Sequence, residues 1–250
     1  MIPTRLPGEN RDVSAPAGGA SSGFGMRVFK AKPSPARVRR PYSVAEIFAD
    51  GVVHTAALIA GGVGFALLFA LAPVQGGAPE YAALIVYAVC FFLMFGFSFA
   101  YNMVPDSSVK RWLRRCDHSG IYLMIAGTYT ALMALVRAQW WTVALVVFVW
   151  CGAIVGVASK LFMPTRLDRG AVGFYLALSW SAIVAIKPLA ATLPVTALAL
   201  IVAGGLVYSA GVPFYVWRSL KFQNAIWHAC VALGAACQFG GVVAAIGATS

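Results

Sequence analysis

The sequence predicts an all-α fold, a polytopic bundle of seven transmembrane helices, on three observations. Of 250 residues, 60% are apolar and 11% are charged, whereas a globular domain carries about half and about a quarter. From residue 49 onward the apolar residues gather in stretches of about 20, the length that crosses roughly 30 Å of hydrocarbon. The stretches lack strand-like alternation, and a backbone in lipid has to satisfy its own hydrogen bonds, which selects helices.

Residues 1–45 come first and stand apart. They are rich in Pro, Gly, Ala and Ser ("APAGGASSGFG", "KAKPSPARVRRP") and hold eight basic residues without an apolar core. This composition predicts a disordered basic cytoplasmic tail rather than a signal peptide. Met26 follows its most Gly-rich part and offers a second start of translation besides Met1. Residues 46–250 form the predicted seven-helix transmembrane domain, with spans at 49–72, 81–103, 119–136, 141–159, 171–190, 195–216 and 225–247. The third span is short, and a turn at Pro194 parts the fifth from the sixth.

Orientation follows from Lys and Arg. Counting the tail, the loops 104–118, 160–170 and 217–224 give seventeen basic residues on one side, against Arg137 and Lys187 on the other. The positive-inside rule then puts the N-terminus in the cytoplasm and the C-terminus outside. Trp112, Trp217 and Trp227 are expected at the inner interface, and Trp140 and Trp141 at the outer one. The formal charge of +11 lies in a tail and short loops, so it does not form the folded basic face that nucleic-acid binding needs. The five cysteines lack metal-knuckle spacing and read as small buried hydrophobes.

Several polar groups fall at one predicted depth. Glu46, Asp50 and His54 are four apart and share a stripe of the first helix. Ser98 and Asn102 end the second, Asp117 and His118 open the third, and Asn224 and His228 open the seventh. Polar side chains in a membrane helix are costly and turn towards the bundle interior or a water-filled cavity. Singly, each has a plain structural role as a cap or a packing group. Together they mark a polar site on the cytoplasmic side.

Three stretches carry a resemblance: "AEIFADGVVHTAALIAGG", "SFAYNMVPDSSVKRWLRRCDHSGIYLMIAGTYT" and "FQNAIWHACVALGAA". In order and spacing they resemble the signature regions of the hemolysin III family, bacterial relatives of the adiponectin and progestin receptors, over roughly residues 42–250. The resemblance implies a multi-pass protein of the bacterial inner membrane with a zinc ion held by three histidines. On this chain it assigns metal positions to His228, Asn102 and Asn224, with Asp117 near the metal-bound water as a catalytic base and Ser98 as its orienter. Asn at two of the three positions is a departure. An amide oxygen is a weak donor for zinc, so one His, two Asn and an Asp can form a hydrogen-bonded cluster without any metal.

The readings of function are therefore a lipid sensor or receptor-like protein, a zinc-dependent hydrolase of lipid amides, and a channel or pore-forming lysin. The expected partners are membrane lipids and a small lipid-like ligand. A chain without a pore-lining ladder of charges speaks against the third reading.

Overall fold

The computed structural model describes residues 42–71, 77–136, 139–162 and 168–249. Within them the chain is helical, without a strand. Most of the tail expected over residues 1–45 lies outside the described residues.

Helix α1 (Val44–Leu71) opens with a reciprocal cap. The Ser43 hydroxyl accepts from Glu46 N at 3.3 Å and the Glu46 carboxylate accepts from Ser43 N at 2.9 Å, satisfying two amides that a helix start leaves unpaired. Helix α2 (Ala78–Met103) has Pro79 in its first turn, where no backbone bond is lost. Helix α3 (Ser108–Leu135) is capped by Ser107, whose hydroxyl accepts from Lys110 N at 3.1 Å. Helix α4 follows (Trp140–Phe162).

The fifth predicted span is divided into α5 (Asp168–Ser179), a 3-10 turn η1 (Trp180–Ala185) and α6 (Ile186–Thr192). Pro188 cannot donate to the carbonyl of Val184 and its ring presses on that carbonyl, so regular helix fails just upstream. Tyr129 of α3 repairs the break, accepting from Ala182 N at 2.8 Å and donating to Ser179 O at 2.8 Å. Helix α7 (Val195–Val216) has the predicted limits, and α8 runs from Gln223 to Thr249.

Among the described residues, six helical stretches are long and apolar enough to cross a membrane: Val44–Leu71, Ala78–Met103, Trp140–Phe162, Gly170–Thr192, Val195–Val216 and Gln223–Ala248. Helix α3 differs because its first turns carry Lys110, Arg111, Arg114, Arg115, Asp117 and His118. The expected loop 104–118 is mostly helix. Its basic residues ride on the first three turns of α3 instead of ending it.

The bundle is apolar outward and polar inward along α1. Val44, Phe48 and Ile59 are 84%, 72% and 63% exposed, while Glu46, Asp50 and His54 are buried at 3%, 2% and 0%. Such a helix would expose its apolar face to water in solution, but in lipid that face is at home. Helix α1 packs against α2 and α8, α2 against α3, and α7 against α8. Helices α2 and α3 meet closely because Gly120 and Gly127 lack side chains. A Cβ on Gly120 would stand 2.9 Å from Met94 Cα, and one on Gly127 would stand 2.7 Å from Cys90 Cβ. The core they close contains Phe65, Leu84, Tyr87, Phe91 and Phe95. Trp112, Trp217 and Trp140 are exposed, but Trp227, expected at the interface, is buried in this core.

Candidate functional site

The polar site lies at the end of the bundle where α1 starts, α2 ends and α8 starts. Four-residue spacing places Glu46, Asp50 and His54 on the stripe of α1 that turns inward. Glu46 is a clamp. Besides its cap with Ser43, its Oε1 accepts from Phe222 N at 2.8 Å. Phe222 has a φ of 59°, a left-handed conformation that is costly for a bulky residue. Glu46 thus pins the turn that launches α8.

One helical turn along, Asp50 meets α8. Its Oδ1 is 2.6 Å from Nδ1 of His228. The other edge of that ring places Nε2 at 3.4 Å from Ser98 Oγ on α2. His54 Nδ1 lies 2.8 Å from the backbone carbonyl of Asp50. A carbonyl only accepts, so the proton of neutral His54 is assigned to Nδ1 and the lone pair to Nε2. The two imidazoles stand edge to face with centroids 4.4 Å apart. Asp50 Oδ2 and His54 Nε2 are buried without a hydrogen-bond partner among the described residues.

Asn102 and Asn224 do something different. Asn224 Nδ2 donates to Asn102 Oδ1 at 3.0 Å, Asn102 Nδ2 donates to Ser98 O at 2.9 Å, and the Tyr42 hydroxyl donates to Asn224 Oδ1 at 3.1 Å. Both amide oxygens are engaged. The zinc set that the resemblance implies, His228 with Asn102 and Asn224, is therefore a poor fit: its two amide oxygens are weak zinc donors and would have to surrender their hydrogen bonds.

Asp117 of α3 is half-buried, within electrostatic reach of His228, Ser98, Asp50 and Arg114. Of the expected base and orienter, Ser98 meets the His228 ring at 3.4 Å and Asp117 lies within its electrostatic reach. His118 is half-buried beside it. Among the described residues, the group whose ligand atoms converge is Asp50, His54 and His228, with one atom from each within 4.8 Å of the others. Sequence reasoning placed Asp50 and His54 in a polar cluster without pairing them to His228. It also missed Gln223, which is 1% exposed, donates to Tyr215 O at 3.1 Å and shares with Asn224 the single proton of the Tyr42 hydroxyl, 3.1 Å from Gln223 Oε1. Its one signal was its place beside Asn224, at the mouth of an otherwise apolar segment.

Apolar-out helices around a buried polar mouth define a multi-pass helical membrane protein. The chain belongs to the haemolysin-III-related family, whose sequence profile matches residues 45–239. It is 36% identical over 198 residues to Hemolysin-3 of Bacillus cereus, covering 78% of this chain and 90% of that protein. To the Hemolysin-3 homolog of Bacillus subtilis (strain 168) it is 30% identical over 198 residues, covering 79% of this chain and 93% of the relative.

Proposed function

We propose that the protein is a lipid-sensing, receptor-like member of its family in the bacterial inner membrane. In this reading it crosses the membrane seven times, α3 joining the six apolar stretches. The seventeen-to-two distribution of basic residues supports a cytoplasmic N-terminus and an external C-terminus. A reporter active only outside the cytoplasm is then active after Ser250 and silent between Lys110 and Arg115; the reverse pattern refutes the topology.

The observation that carries the reading is a cavity of about 340 Å³ inside the bundle. Its walls are almost wholly apolar and include Met94, Met124, Leu132, Trp180, Trp227 and Val231. Met94 is one turn from Ser98, and Trp227 adjoins His228, so an amphiphile seated there would have its apolar part in the cavity and its head near the polar mouth. Ligand sites of this kind pair apolar walls with a few polar groups. A fluorescent acyl amide should bind the purified protein saturably, and Val231→Trp, which fills the cavity, should abolish binding while the melting temperature holds. Absent binding, or binding indifferent to Val231→Trp, refutes the reading.

A second reading, hydrolysis of a lipid amide, is favoured by Asp117 beside His228 and Ser98. Release of free fatty acid from a ceramide-like amide, lost in Asp117→Ala, would put it first. The name Hemolysin-3 of the relatives points to lysis, and dye leakage from protein-containing liposomes would speak for that instead.

A further inference from the structure

The mouth of the bundle holds an unfinished polar group. Asp50 and His54 are at most 2% exposed, yet Asp50 Oδ2 and His54 Nε2 have no hydrogen-bond partner among the described residues. A buried carboxylate oxygen and a buried imidazole lone pair are expensive to leave unpaired. Both atoms are bases, so neither can satisfy the other. What they share is an appetite for a cation.

We propose that Asp50, His54 and His228 form a binding site for one divalent ion of the zinc class, seated on α1 and α8 rather than at Asn102 and Asn224. Two imidazoles and one carboxylate are a zinc donor set that leaves a further position open. One atom from each residue already lies within 4.8 Å of the others, while tetrahedral ligands about 2.1 Å from a zinc ion sit about 3.4 Å apart. Closing that difference takes rotamer adjustment on two packed helices. The supporting contacts are those that orient metal-bound histidines. His54 Nδ1 is held by the Asp50 carbonyl at 2.8 Å, which leaves Nε2 to bind. Whichever nitrogen of His228 faces the ion, the other has a partner, Asp50 Oδ1 at 2.6 Å or Ser98 Oγ at 3.4 Å.

The run Ser98, His228, Asp50 has the order of a serine nucleophile relay, but it lacks an essential part. Ser98 lies within α2, which is unbroken from Ala78 to Met103, so the neighbouring amides are engaged in the helix and none is free to hold an oxyanion. A cation site gives His54 Nε2 a role, and the relay leaves it without one. The inference stands whether or not the cavity takes a lipid.

The test uses the full chain, purified in detergent, stripped with a chelator and titrated with zinc chloride. Stoichiometric zinc by elemental analysis is expected, with a melting temperature that rises on zinc and falls on chelation. His54→Gln and Asp50→Asn should each weaken zinc binding by about tenfold or more, and Asn102→Ala should leave it unchanged. Cobalt(II) on the unaltered protein should show visible d–d bands without thiolate charge transfer, a readout that survives if a variant fails to fold. A chain that takes up neither ion overturns the proposal. So does zinc that persists in His54→Gln and is lost in Asn102→Ala.

Discussion

Glu46→Ala removes a clamp between the two helices that shape the mouth. The carboxylate accepts two backbone amides, Phe222 N at 2.8 Å and Ser43 N at 2.9 Å. A hydrogen bond to a charged group contributes about 1.5–3 kcal/mol, and this full value applies to the Phe222 contact because Glu46 is 3% exposed. Ser43 is exposed, and water can replace much of its bond, so the lost cap adds about 1 kcal/mol or less. The expected loss is therefore about 3 kcal/mol. For a domain of this size it lowers the melting temperature by roughly 6–12 °C. Tryptophan fluorescence during heating in detergent measures it, with exposed Asp106→Ala as the control. Glu46→Gln keeps an acceptor for Phe222 N and should lose about half as much. A Glu46→Ala shift no larger than that of Asp106→Ala would show that the turn before α8 does not depend on this carboxylate.

Gly120→Ala puts a Cβ 2.9 Å from Met94 Cα, where the backbone has to move, and should cost about 1–3 kcal/mol; Gly62→Ala, which meets nothing within 4 Å, should leave the melting temperature unchanged or slightly raised. Tyr129→Phe strips the acceptor from Ala182 N at the break between α5 and α6 and should cost about 1–3 kcal/mol, read in the same melting assay. Asp117→Ala, at a half-buried carboxylate near His228, should destabilise clearly more than Asp106→Ala. For Asn102 and Asn224, a double-alanine cycle should give a coupling of about 0.5–1.5 kcal/mol; zero coupling would mean that the amide pair does not form.

Helix existence was legible from the apolar stretches, and the limits of α7 from the turn at Pro194. The start of α3 was not legible, because a run of Lys and Arg marks where lipid ends, not where a helix ends. Lys, Arg, Trp and Leu between 110 and 115 continue a helix into the interface without difficulty. The break at 180–185 was hidden for the opposite reason: apolar composition is blind to backbone regularity, and only Pro188 hinted at it. At the mouth, four-residue spacing showed that Glu46, Asp50 and His54 share a stripe. Spacing carries no information about which helix faces that stripe. The contact of Asp50 with His228 spans 178 residues and depends on α1 lying beside α8. The reach of Glu46 to Phe222 N involves a backbone amide, which no side-chain pattern can announce.

Two seams join α8 to its neighbours here, and their chemistry differs. The seam with α2 is neutral and paired: the oxygen of Asn102 accepts from Asn224, and the oxygen of Asn224 shares the Tyr42 proton with Gln223. A neutral paired seam fixes a distance and carries no charge to attract an ion. The seam with α1 is chargeable and unsaturated, with a short contact from Asp50 to His228 and two buried basic atoms left over. Between Asn224 and His228 lies one turn of α8, so the paired seam sits as a neutral brace one turn from the chargeable one. An amide pair in the brace keeps α2 and α8 in register without any ion. It also leaves His228 free to turn its chemistry towards α1, where Asp50 Oδ1 meets its ring at 2.6 Å and His54 packs edge to face against it.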